Sequence, residues 1–208
     1  MWPPKPLANL VISNTILFMP EKYDPNIHHR RSTRLSGYDY SQEGWYFVTI
    51  CTQNRNCLFG EIIKDRMRLN NAGLMVEMWW PKVTDKFPSV RTDECVIMPS
   101  HFHGIINIVG AVPCGRPEPD NGNNKLGQSH RIAPTLGNIV NWFKTMTTNQ
   151  YIRGVKRNGW PSFPGRLWQR NYYEHIIRSE SELNHYRRYI TDNPADWQTD
   201  RENPNVTS

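Results

Sequence analysis

The chain has 208 residues, 38% of them hydrophobic, enough for one domain with a proper core plus flexible ends. Its net charge of +6 and 12% aromatic content suit a polyanion and leave flat rings to stack on bases, although the charge alone fits ordinary solubility equally well. No membrane span or signal peptide is legible, and the four cysteines (Cys51, Cys57, Cys95, Cys114) show no CxxC spacing, which argues against a cysteine zinc site and for a reduced, cytoplasmic compartment.

Residues 1–27 contain prolines and no sustained periodicity, so they read as a flexible leader. The basic run at 28–34 follows. Its Arg30, Arg31 and Arg34 suit a phosphate backbone, and equally a solvated tail. Residues 45–52 (WYFVTICT) are β-branched and aromatic and predict a buried strand. A turn signal at 54–56 predicts that a second strand, 57–63, returns as a hairpin. Residues 72–86 carry Leu74, Met75, Met78 and Trp79 at helical spacing, with Pro81 as a kink or early stop.

A third strand is expected at 92–98 and, after the Pro99-Ser100 break, a fourth at 101–109. The polar connection 110–134 reads as a functional or mobile loop. Residues 135–152 predict a helix capped by Thr135, with Leu136, Ile139, Val140, Phe143 and Met146 as its apolar stripe. The stretch 153–166 is basic and punctuated by Gly and Pro. Residues 168–177 predict a last strand. A last helix spans 179–193, opened by Ser179 or Ser181 and stopped by Pro194. The domain is expected to span 28–197, with 198–208 as a loose polar tail. This order predicts a ferredoxin-like α+β fold: an antiparallel sheet with helices on one face, and the first hairpin adding an edge strand.

His101-Phe102-His103 is the most informative triplet. Alternate side chains of a strand share a face, so the two imidazoles point together and can bind one divalent metal, while Phe102 packs the other side. A histidine-triad nucleotide hydrolase would need a third histidine at position 105, which is Ile105. On the last helix, Tyr189 and Asn193 are four residues apart and share a face, so a phenol and an amide oxygen can reach one point. A metal on His101, His103 and Asn193 would polarise a phosphodiester for attack by Tyr189. Tyr172, Tyr173 and Tyr186 are rival nucleophiles; Tyr186 has Ile190, not an amide, four residues on.

The motifs Met98-Pro99-Ser100-His101-Phe102-His103, Leu167-Trp168-Gln169-Arg170, Tyr173-Glu174-His175-Ile176-Ile177-Arg178 and Tyr189-x-x-x-Asn193-Pro194 together resemble the HUH single-tyrosine transposases. Among these they most resemble the REP-associated tyrosine transposases of bacteria. The opening Arg30-Arg31-Ser32-x-Arg34-Leu35-x-Gly37-Tyr38-Asp39-Tyr40 and the strand 47–52 fit as well, so the resemblance spans roughly residues 29–197.

The resemblance implies His101 and His103 as metal ligands and Tyr189 as nucleophile. It also implies Mg²⁺ or Mn²⁺ as cofactor, a 5′-phosphotyrosine intermediate, and palindromic repeat DNA, single-stranded or folded as a hairpin, as substrate. Insertion-sequence members of the wider class carry Gln where this chain has Asn193, which is shorter and precedes Pro194. His175 reads as a hydrogen-bonded structural residue. Lys144 and Arg170 can hold phosphates or lie as surface charges. The enzyme can act as a monomer or a homodimer. Two other functions fit the same residues: a non-catalytic binder of structured nucleic acid, and a metal-dependent phosphodiesterase that hydrolyses.

Overall fold

The structure is a computed structural model and describes residues 39–110 and 134–206. The expected leader, Arg30, Arg31 and Arg34, Cys114 and nearly all of the 110–134 connection lie outside the described residues.

Four strands form the main sheet: β1 (Gly44–Cys51), β4 (Val90–Ile97), β5 (His101–Ile108) and β6 (Tyr173–Ile177), in the spatial order β4-β5-β1-β6. Every pairing is antiparallel. Between β1 and β4 lie the short strands β2 (Gly60–Ile63) and β3 (Arg66–Leu69) and the helices α1 (Asn71–Trp79) and α2 (Lys82–Lys86). The long helix α3 (Leu136–Asn158) joins β5 to β6, and α4 (Glu180–Asp192) follows. With β2 and β3 set aside, the β-α-β-β-α-β order and the placing of the first strand between β5 and β6 make the fold ferredoxin-like.

The alternation read from the sequence decides the layers. Tyr46, Val48 and Ile50 of β1 and Phe102, Ile106 and Ile108 of β5 enter one buried cluster with α1 and α3 residues such as Val76, Ile139 and Phe143. Phe47 of β1 and Ile105 of β5 point the other way and pack against Leu183 and Ile190 of α4, with Ile177 of β6. Burial of each such side chain contributes roughly 1.5–3 kcal/mol, so the five-residue face is the lesser store of stability.

Helix starts follow local chemistry. Asn70 accepts from the Ala72 and Gly73 amides, Thr135 from the Asn138 amide, and Ser179 from the Glu182 amide. Pro81 divides α1 from α2 as expected.

Three expectations are corrected. The 57–63 segment does not pair with β1; β2 pairs with β3 in a separate ribbon, turned at Lys64 and Asp65, both at positive φ. Helix α3 runs six residues past position 152, to Asn158, and Gly154 within it is a packing glycine: a Cβ there would lie 2.2 Å from the Trp160 ring. Gly159, at φ 66°, ends the helix. Residues 198–206, expected to be loose, fold back on the domain, burying Asn203, whose amide donates to the Trp197 carbonyl.

Candidate active site

The site lies on the α4 face of the sheet. His101 and His103 open β5, which runs between β4 and β1, and both side chains are buried. Their ring centroids are 4.5 Å apart. Gly104 lets the strand lie close on the opposite face, where a Cβ would fall 2.7 Å from the Trp80 ring. Helix α4 crosses this face, and Tyr189 sits with its ring 5.3 Å from that of His103 and 5.7 Å from that of Phe47. Arg187 on the same helix pairs with Asp93 of β4, and His175 Nε2 lies 2.6 Å from Glu182 Oε1. These polar links fix the helix against both edge strands. They also give His175 the structural role expected of it.

Hydrogen bonds orient the two imidazoles. Ser100 Oγ donates to the Glu202 carbonyl at 2.7 Å, so towards His101 Nδ1, 3.3 Å away, it can only accept. The His101 proton is thereby placed on Nδ1, and the Nε2 lone pair faces Asp200 Oδ2 at 3.5 Å. His103 Nδ1 is held by Thr49 Oγ1 at 2.8 Å, which leaves its Nε2 facing the site.

Four buried polar atoms here have no hydrogen-bond partner: His101 Nε2, His103 Nε2, Asn193 Oδ1 and Asp200 Oδ2. Ligand atoms of His101, His103 and Asp200 lie within 4.8 Å of one another, so the group can hold a metal ion. Two nitrogen and two oxygen donors fit a divalent cation, and a cation would satisfy atoms that are otherwise costly to bury.

Burial lowers the pKa of both histidines below the ordinary 6.5. Asp200 and Glu202 oppose the shift at His101, and the His101 charge adds to it at His103. Both imidazoles therefore stay neutral, as ligation requires. Burial, followed by the Asp200 charge, raises the Tyr189 phenol above its ordinary value of 10, and the Asn193 side chain pulls it back.

Tyr189, 38% exposed, opens into a cleft of about 660 Å³ whose walls include Phe47, Tyr173, Tyr186, Asn193 and Asp200. Tyr173 is 53% exposed at this cleft. Arg170 is exposed just before it in the chain. Lys144, read as a phosphate contact or a surface charge, is buried, and its ammonium donates to the carbonyls of Gln169, Arg170 and Asn171 at 3.0–3.4 Å, which clips the segment leading into β6. Burial pushes its pKa down to about 8.

Sequence reasoning missed Asp200, Glu202, Ser100 and Thr49. The only cue to the first two was Trp197, an aromatic able to anchor an otherwise polar stretch.

Fold and site together define a ferredoxin-like α+β protein with a His-x-His pair on an interior strand and a tyrosine helix laid over it. No family model matches the chain. It is 44% identical over 185 residues to an uncharacterised protein of Haemophilus influenzae, covering 88% of this chain and 98% of the other, and it belongs to the same family as that protein.

It is also 24% identical over 160 residues to a protein of the same organism named "Putative REP-associated tyrosine transposase", covering 76% of this chain and 73% of that one. The chain thus resembles the REP-associated tyrosine transposases beyond its motifs. A solved structure of a REP-associated tyrosine transposase bound to a REP hairpin is similar at 21% identity and TM-score 0.47, over 78% of this chain and 74% of that one. Among the described residues no helix is long and apolar enough to cross a membrane.

Proposed function

We propose that the protein is a transposase that cleaves and rejoins single-stranded or hairpin repeat DNA through a 5′-phosphotyrosine on Tyr189. The observation that carries this reading is the convergence of four buried, partnerless ligand atoms beside a tyrosine that opens into a cleft. His101 and His103, with Asn193 as the expected third residue, would hold a divalent cation, Mg²⁺ or Mn²⁺, which when bound would supply Lewis-acid polarisation of the scissile phosphate and of the departing oxygen.

The chain's own residues do the rest. Thr49 and Ser100 orient the two imidazoles, and Phe47 packs against the Tyr189 ring. The Tyr189 oxygen attacks phosphorus, the bond to the 3′-oxygen breaks, and the phenol proton passes to that released oxygen. One phosphoester replaces another, so a different 3′-hydroxyl can reverse the step and join a new strand. Tyr173 and Tyr186 present rings on which bases can stack, and Arg170 is free to meet phosphate. Because α4 packs on its own chain's sheet, one copy carries histidines and tyrosine together, which favours action as a monomer.

The test is a denaturing gel with labelled hairpin repeat DNA and Mn²⁺ or Mg²⁺. A metal-dependent protein–DNA adduct that disappears in Tyr189→Phe and with chelator is the expected result. Binding without an adduct would instead assign a non-catalytic binder, and cleavage that survives Tyr189→Phe a hydrolytic phosphodiesterase.

A further inference from the structure

Two of the atoms around the histidines come from the last stretch of the chain, far in sequence from β5. Asn193 ends α4, whereas Asp200 belongs to the segment after Trp197 that folds back over the start of β5. That segment buries Trp197 and Asn203 and is fastened by the polar contacts of Glu202. Glu202 Oε2 lies 2.8 Å from Arg55 Nε and accepts from Cys51 Sγ at 3.2 Å, while the Glu202 carbonyl accepts from Ser100 Oγ. Asp200 also braces the turn, since its Oδ1 accepts from the Glu202 amide at 2.7 Å. The other oxygen, Oδ2, is left without a hydrogen-bond partner, 3.5 Å from the His101 Nε2 lone pair. Two electron-rich atoms held this close in a buried place repel unless a cation lies between them.

We propose that Asp200 is a carboxylate ligand of the divalent cation, and that Glu202 is the positioning residue that holds the 197–203 segment so that Asp200 reaches it. The proposal rests on the metal site of the preceding reading and adds a ligand to it. Cation binding and segment docking are then linked: the cation fastens Asp200, and a docked Glu202 preorganises the site. Ser100 joins the two, because docking of Glu202 is what commits its proton and so sets the His101 tautomer.

The experiment measures Mn²⁺ binding to the full chain without DNA, by paramagnetic-resonance titration of free Mn²⁺. Alongside it, the rate of tryptic cleavage after the exposed Arg201 is followed with and without Mn²⁺. Asp200→Ala should weaken Mn²⁺ at least tenfold and Asp200→Asn less. Glu202→Gln should weaken it several-fold and speed cleavage after Arg201. Mn²⁺ should slow that cleavage in the wild type and not in Asp200→Asn. Because Asp200→Asn is nearly isosteric, its melting curve shows whether a loss of affinity comes from unfolding. If both Asp200 variants bind Mn²⁺ like the wild type while His101→Ala does not bind, Asp200 is no ligand and the histidine site stands. If the wild type itself binds no Mn²⁺, this proposal and the metal reading fall together.

Discussion

At the residue scale, the chemistry depends on which nitrogen of each imidazole is free. Ser100 settles this for His101, and Thr49 holds the matching position at His103. Thr49→Val removes that hydrogen bond with little change in shape. It should weaken Mn²⁺ binding by about 10- to 100-fold, measured by titration, while leaving the fold intact. The same imidazoles set an acid limit on the metal-free protein. Their pKa values are lowered by folding, so below about 6.5 the unfolded chain takes up protons that the folded chain does not. Stability contributed by the neutral pair is present at pH 7.5 and is lost as the pH falls through 6.5 towards the folded values. Urea midpoints should drop between pH 7.5 and 5, and His103→Gln should flatten the dependence. The two histidines and Tyr189 were legible in the sequence because a period of two and a period near four are local properties. Asp200 was not, because its partners are about a hundred residues away and only docking of the segment brings them together.

At the element scale, α4 is the part to perturb. Its start is fixed by Ser179 and by Glu182, whose carboxylate accepts the Arg178 amide and meets His175. Ser179→Ala should cost about 1 kcal/mol. Leu183→Ala, which opens the small cluster under the helix, should cost about 2–5 kcal/mol and lower adduct yield more than it lowers metal affinity. Denaturant titration and the gel assay separate the two effects. The caps of α3 and α4 were readable because Thr135 and Ser179 act on amides three residues on. The β2–β3 ribbon was not readable: Lys64 and Asp65 adopt a left-handed turn without the Asn-Gly pair that normally marks one. The continuation of α3 through Gly154 was hidden for a related reason. That glycine looks like a helix breaker locally and is required only by the ring of Trp160.

At the scale of the whole molecule, the sheet separates two layers of unequal strength. The larger cluster, with α1 and α3, carries most of the buried apolar surface, and the α4 face carries the site. Lys144 ties the layers together from the side of α3, by donating to three carbonyls of the segment that enters β6. Lys144→Ala leaves those carbonyls without their donor and should cost about 1–3 kcal/mol in denaturant titrations, with DNA affinity unchanged once the fold is held. An unaltered midpoint together with weaker DNA binding would return Lys144 to the role of a phosphate contact.

The interior place of β5 has a consequence for amide hydrogen exchange. The backbone around His101 and His103 is paired with a strand on either side, so its amides exchange only when the sheet opens. The amides around Tyr189 are protected by a helix that packs Leu183 and Ile190 on Phe47, Ile105 and Ile177 and makes two polar links to the edge strands, and they can exchange through release of that helix alone. The Tyr189 helix and the histidine strand thus belong to cooperative units of different lifetime. If Tyr189 carries a DNA strand as proposed, the helix would be free to move with that strand attached while His101 and His103 keep their places on β5.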